Sequence, residues 1–228
     1  MFEIRDLQVI QGGKTLWDGL SFRLNAGERL GISAPSGFGK TTLGRVLAQW
    51  QQPHAGELLL DGKPLPKAGY CPVQLVPQHP EKCFNPYRTT GAGLYDAWKP
   101  DAEWLEKLSI EPHWLERRPD ELSGGELARI ALLRALDPRT RFLIADEVTA
   151  QLDAHIQAQI WQVLIEESEK RPLGLVVFSH NKALLEKVCT SVWIAGSRKR
   201  ACCLMWQFDF SVRWHKNTKL INNNDNYY

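Results

Sequence analysis

Ala34-Pro35-Ser36-Gly37-Phe38-Gly39-Lys40-Thr41-Thr42 is the stretch on which the fold turns. It follows a short apolar run, Arg29 to Ser33, and opens a helical pattern from about Lys40 to Trp50. Strand, glycine-containing loop and helix in that order make the first half of a βαβ unit. The loop also has the chemistry of a phosphate cradle. Backbone N–H groups of the turn and of the helix start point inward, where β- and γ-phosphates would sit. Gly37 and Gly39 permit the close backbone approach this needs. Lys40 supplies a point charge, and the Thr41 hydroxyl is a candidate Mg²⁺ ligand. Two positions depart from the pattern G-x-x-x-x-G-K-[ST]: Ala34 stands at the first glycine, and Phe38 where a small residue is usual.

Outward from this stretch the chain reads as alternating strands and helices. Residues 2–10 alternate loosely (Phe2, Ile4, Leu7, Val9) and are expected to form an edge strand. Leu20 to Leu24 reads as a second strand, with a turn at Asn25-Ala26-Gly27-Glu28. Residues 57–60 and 73–76 are short strands, with a turn signal at Asp61-Gly62. From Pro80 to Pro119, Leu94, Trp98, Trp104, Leu105, Leu108, Trp114 and Leu115 recur at helical spacings, and four prolines interrupt them. This predicts a small helical lobe inserted into the core. Phe142 to Ala145 and Leu175 to Phe178 are fully apolar strands, and Ile156, Ile160, Val163 and Leu164 form one helical stripe. The alternation predicts an α/β fold with a mainly parallel sheet.

The 228 residues suit one large domain or one domain with an inserted lobe. A net charge of +2 gives no electrostatic case for nucleic acid as the main partner. The five cysteines (Cys71, Cys83, Cys189, Cys202, Cys203) form no C-x-x-C pair, which argues against a disulfide framework and for a reducing compartment. No apolar run approaches the length of a membrane span, and the first residues do not read as a signal peptide. After Ile194 the sequence changes character: a basic run, Arg198-Lys199-Arg200, then an asparagine-rich ending, expected to be poorly ordered.

Three further signals carry chemistry. Leu122-Ser123-Gly124-Gly125-Glu126 has the S-x-x-E spacing of a capping box ahead of an apolar helix. Its glycines leave the N–H groups of the helix start uncovered for an anion, although an ordinary capped helix reads the same way locally. Asp146 and Glu147 end the apolar strand 142–145, placing one acid to hold Mg²⁺ and the next to polarise an attacking water. Solvated acids at a strand end are the plain alternative. Ser179-His180 ends the other apolar strand, where a histidine can hydrogen-bond a γ-phosphate. The order of these elements in one chain, with Gln78 between the first and second, is what carries weight.

That ordered set resembles the ATP-binding cassette family over roughly residues 2–195, and its most specific element is Ser-Gly-Gly ahead of two acids ending a strand. The resemblance implies a P-loop NTPase-type sheet with N-terminal antiparallel strands and a helical lobe at about residues 80–135. It makes residues 1–195 the ATP-binding domain and 196–228 a divergent tail. By resemblance Ala34 to Thr42 is the Walker A loop and binds ATP, and Gln78 is the Q-loop glutamine, a catalytic and Mg²⁺-contacting residue. Ser123, Gly124, Gly125 and Glu126 are the nucleotide-contacting signature, with Glu126 where Gln is commoner. Asp146 and Thr41 would hold Mg²⁺, Glu147 and His180 would be catalytic, and Ala150-Gln151-Leu152-Asp153 looks like the D-loop. The partners implied are a second ATPase subunit and transmembrane permease subunits, and the location implied is the cytoplasmic face of the membrane.

Pro77-Gln78-His79-Pro80, then Phe84-Asn85-Pro86, look like the peptide and nickel importer ATPases, as does Arg118-Pro119-Asp120. One family feature is missing. The aromatic that usually stacks on adenine has no counterpart in Ile10-Gln11-Gly12-Gly13, and Trp17 looks out of register for it. Two other readings stay open. A non-transport ATPase of DNA repair would carry a long coiled coil, whereas only about eighty residues separate Lys40 from Ser123, and one of translation usually carries two cassettes, whereas this chain shows one. A weakly hydrolysing interaction subunit of a soluble complex would fit Ala34 and Phe38, and the intact Lys40, Asp146, Glu147 and His180 oppose it.

Overall fold

A computed structural model describes residues 1–150 and 152–194. The expectations for Gln151 and for the tail 196–228 lie outside the described residues. Among the described residues, nine strands form two sheets, alternating with six α-helices. The strands are β1 (Phe2–Gln11), β2 (Lys14–Leu24), β3 (Arg29–Ser33), β4 (Ala55–Leu60), β5 (Lys63–Pro64), β6 (Val73–Val76), β7 (Phe142–Asp146), β8 (Gly174–Phe178) and β9 (Ser191–Ile194). The helices are α1 (Lys40–Leu47), α2 (Thr90–Tyr95), α3 (Ala102–Lys107), α4 (Gly124–Ala135), α5 (Ala154–Lys170) and α6 (Lys182–Val188). The antiparallel sheet runs β2-β1-β4-β5, and the parallel sheet runs β6-β7-β8-β3-β9.

The central parallel strands are apolar on both faces because both are covered. On β7, Phe142 and Ile144 join one core cluster while Leu143 and Ala145 join another; on β8, Val176 and Phe178 separate from Leu175 and Val177 in the same way. One face meets α1 and the antiparallel sheet, through Leu43, Leu47, Phe2 and Phe22. The other meets α4, α5, α6 and the helical lobe, through Ile130, Leu164, Leu185 and Leu94. Each such fully buried side chain contributes roughly 1.5–3 kcal/mol.

Two sequence expectations are corrected. The first strand is not at an edge, since β1 pairs with β2 on one side and β4 on the other. Its alternation is loose because bulges shift the register, with Asp6 in the left-handed region at φ 44°. The first helix stops at Leu47 rather than Trp50, because Gln49 turns left-handed at φ 60°. Trp50 N–H then bonds the Arg45 carbonyl and Gln49 N–H that of Val46, the Schellman pattern that ends a helix.

The region 80–135 holds α2, α3, α4 and three 3₁₀ turns, joined by loops. Prolines start its three 3₁₀ turns, at Pro80–Cys83, Pro112–Glu116 and Pro119–Glu121, and Thr89 and Asp101 cap α2 and α3. Trp98 joins two parts of this region by donating from Nε1 to the Leu133 carbonyl on α4 at 3.0 Å. Asp61-Gly62 makes the predicted turn, with both residues at positive φ, and leads into the short β5.

Candidate functional site

Strand β3 ends at Ser33 and the Ala34–Thr42 loop, the candidate phosphate loop, begins. Ala34 is buried and has no left-handed dihedral, so nothing in the backbone requires glycine there. Glycine is required at Gly37 (φ 77°) and Gly39 (φ 90°). Phe38 packs edge-on against Trp17, with ring centroids 5.2 Å apart, rather than filling the loop. Lys40 is buried, and its ammonium donates back to the carbonyls of Ala34 (2.6 Å) and Pro35 (3.3 Å). The cation thus closes the loop on itself from inside. Thr42 donates to Gln11 Oε1 at 2.7 Å.

The neighbouring strand ends bring acids and histidine to the same side. Order β7-β8-β3 sets Asp146, Phe178 and Ile32 side by side, and parallel strands put all three carboxyl ends together. In open α/β sheets that edge is where ligands bind. Asp146 is 1% exposed, and neither carboxylate oxygen has a hydrogen-bond partner. Burial pushes its carboxyl above the usual value, against the opposing pull of the nearby Thr41 hydroxyl and Lys40. A buried, unpartnered carboxylate beside a hydroxyl suits a hard cation such as Mg²⁺, which prefers one or two protein oxygens plus phosphates and water.

Glu147 adopts φ 50°, rare for a side chain of this kind, and its N–H is held by the Phe178 carbonyl at 3.1 Å. That turn aims Glu147 Oε1 at His180 Nδ1, 3.2 Å away. Glu147 is largely buried while His180 is 70% exposed, so the histidine presents the pair to solvent. Behind them lies a cavity of about 210 Å³, bounded among others by Thr149, Trp161, Ser179 and Asn181. Gln78 is exposed two residues beyond β6, the strand beside β7.

The Ser123 to Glu126 segment stands apart. Its capping box forms: Ser123 Oγ accepts from Glu126 N–H at 3.3 Å, and Glu126 Oε2 accepts from Ser123 N–H at 2.7 Å. The Ser123 backbone N–H holds the Glu126 carboxyl below its usual value. Ser123 and Gly124 are exposed. A methyl group on Gly125 would sit 2.9 Å from Leu152 Cδ2, so this segment abuts the stretch after Glu147. Among the described residues, no hydrogen bond joins it to the phosphate loop. Two loop contacts had no signal in the sequence: Gln11 to Thr42, and Trp17 Nε1 to the Gly39 carbonyl at 3.1 Å. The indole of Trp17 is buried under the loop.

Residues 17–150 match the family model described as ABC transporter. The chain belongs to the ABC transporter family. Among curated relatives, this ABC transporter chain is 33% identical over 183 residues to "Fe(3+) ions import ATP-binding protein FbpC 1" of Rhodococcus jostii, covering 75% of this chain and 52% of that one. It is 30% identical to "Oligopeptide transport ATP-binding protein AppF" of Bacillus subtilis, covering 78% and 61%. It is 29% identical to "Nickel import ATP-binding protein NikE" of Pseudomonas putida, covering 80% and 74%. The chain thus spans about half the length of the iron-import relatives. The dimeric structure of MJ0796, a bacterial ABC transporter cassette, matches its fold with a TM-score of 0.72 at 20% identity, covering 85% of this chain and 94% of that one. Among the described residues, no helix is long and apolar enough to cross a membrane.

Proposed function

We propose that the chain binds ATP in the Ala34–Thr42 loop and hydrolyses it, as the ATP-binding subunit of an importer. The observation that carries this reading is the buried Asp146, whose two oxygens have no partner, next to the Glu147–His180 pair and one strand away from Lys40. Lys40 exchanges its contacts with the Ala34 and Pro35 carbonyls for the phosphates, and the N–H groups from Gly37 to Thr42 cradle them. Asp146 and Thr41, with Gln78, would hold Mg²⁺, which neutralises charge on the phosphate oxygens when bound. Glu147 accepts a hydrogen bond from the attacking water and polarises it, and His180 steadies Glu147 and the γ-phosphate side of the site. The helix start at Ser123, Gly124, Gly125 and Glu126, exposed at its first two residues, faces a phosphate supplied by a second ATPase subunit, so that each nucleotide lies between two chains.

Residues 1–195 make up this ATP-binding domain, and the lobe at about 80–135 transmits its closure to permease subunits at the cytoplasmic face of the membrane. The relatives named for peptide and nickel transport, with the Pro77–Pro80 and Phe84–Pro86 stretches, support a cargo of that class. The relative named for Fe(3+) import makes an iron cargo the competing outcome.

The test uses Glu147→Gln and Lys40→Ala. Glu147→Gln should retain ATP binding, lose about 10²–10⁴-fold in turnover, and sediment as a dimer with ATP. Lys40→Ala should lose tight binding altogether. Tagged Glu147→Gln with ATP should then recover a multi-span permease from solubilised membranes, whose identity names the cargo. Normal turnover by Glu147→Gln would remove it from the water-positioning role. Recovery of soluble enzymes alone would sink the transport reading.

A further inference from the structure

The β1–β2 hairpin reaches the phosphate loop at two points. Trp17 is 3% exposed, and its Nε1 donates to the Gly39 carbonyl at 3.1 Å. The same carbonyl accepts the Leu43 N–H at 2.9 Å, a bond of the first turn of α1. A Cβ on Gly39 would lie 2.9 Å from Leu16 Cδ1 and 3.2 Å from Trp17 Nε1, so the hairpin closes tightly on the loop. The indole is wedged in place by Phe38 on one side and Trp193, 5.4 Å between centroids, on the other. At the second point, the Thr42 hydroxyl donates to Oε1 of the exposed Gln11.

These contacts do more than fill the core. Leu20 and Phe22 on the same strand pack with no polar atom in their side chains, whereas Trp17 brings a buried donor that must find an acceptor. It finds the one peptide group that leads into Lys40. A peptide unit is planar and trans, so its C=O and N–H point in opposite directions. Pinning the Gly39 carbonyl toward Trp17 and Leu43 therefore aims the Lys40 N–H away from them, into the loop where phosphate would lie. Thr42, one turn position on, is fixed by a different residue of the same hairpin.

We propose that Trp17 and Gln11 are positioning residues for the nucleotide: the hairpin clamps the phosphate loop, Trp17 by setting the Gly39–Lys40 peptide and Gln11 by orienting the Thr42 hydroxyl. Neither acts on the reacting atoms. The proposal rests on the ATP reading above.

Trp17→Phe keeps an aromatic ring in the cavity and removes the donor, and Gln11→Ala removes the acceptor at an exposed position where folding is not at stake. Each contact is a single net hydrogen bond, so each variant should weaken MgATP binding by about 3–10-fold. The loss should appear in KM with kcat unchanged, because the loop holds phosphate equally before and during the reaction. Melting temperatures of the free proteins should fall by no more than a few degrees, Trp17→Phe more than Gln11→Ala. In protein carrying 5-fluorotryptophan, the resonance absent from Trp17→Phe should shift when MgATP is added to wild type. Wild-type affinity in both variants, with that resonance unmoved, would overturn the clamp and leave the ATP reading standing. A wild-type protein that binds MgATP no better than Lys40→Ala would overturn the ATP reading itself, and the clamp with it.

Discussion

At Asp146 a carboxylate sits in the core with neither oxygen in a well-formed hydrogen bond, and the nearby Thr41 hydroxyl and Lys40 offset its burial only in part. Its carboxyl is raised in the folded chain and ordinary in the unfolded one, so the folded protein binds that proton more tightly. The resulting destabilisation is absent below the ordinary carboxylate value, grows as pH rises through it, and is complete above the raised value. Asp146→Asn should therefore raise the melting temperature of the nucleotide-free protein at pH 7, by about 2–4 °C for each kcal/mol relieved. The gain should shrink as pH is lowered toward 4, and the Mg²⁺ dependence of nucleotide binding should disappear. Differential scanning fluorimetry across that pH range checks the sign; a less stable variant at pH 7 would contradict it. Asp146 and Glu147 end an apolar run and Lys40 follows a glycine-containing loop at a helix start, local signals that the sequence carries. The Gln11–Thr42 bond joins residues 31 apart and leaves no periodic trace. Glu147's left-handed backbone was equally silent, since glutamate does not announce such a dihedral.

Among the elements, β1 shows best where local reading fails. Its apolar residues gave a strand, but alternation blurred by bulges looks like an edge, and only pairing on both sides reveals a centre. The bulge has a specific lock. Gly56 of β4 has φ 92°, and a Cβ there would lie 2.5 Å from the Arg5 carbonyl oxygen and 2.6 Å from Leu7 Cα. Backbone cannot yield as a flexible side chain would. Gly56→Ala should cost about 1–3 kcal/mol, read as a lower urea midpoint with an unchanged slope; a wild-type midpoint would mean the strands part easily. By contrast α4 was legible to its first residue, because Ser123 and Glu126 encode their own cap. The end of α1 was not, because Gln49 is an uncommon residue for a left-handed stop.

For the whole molecule, the sequence told α from β and placed the helical lobe, since prolines and tryptophans mark it. It did not give the strand order. Setting β3 between β8 and β9 depends on how crossovers pack back onto a sheet, and the short β9, Ser191–Ile194, escaped notice beside a tail of different character. The two-sided packing has a chemical readout. Cys189 lies against β3 and α6 and Cys83 in the lobe; burial pushes their thiols up to about 12 and about 11. Both should resist iodoacetamide in the folded protein at pH 8 and react in urea, as followed by peptide mass spectrometry. Rapid modification of Cys83 in the native state would show that the lobe opens on the labelling timescale.

Lys40 already fills the centre of its loop with its own charge, bridging the Ala34 and Pro35 carbonyls. If the loop binds phosphate as proposed, an incoming one meets a cradle shaped in advance, and little chain has to be ordered for capture. On the ATP reading, the on-rate is then governed by diffusion and the shedding of water, and nucleotides that fit differently are told apart by how long they stay.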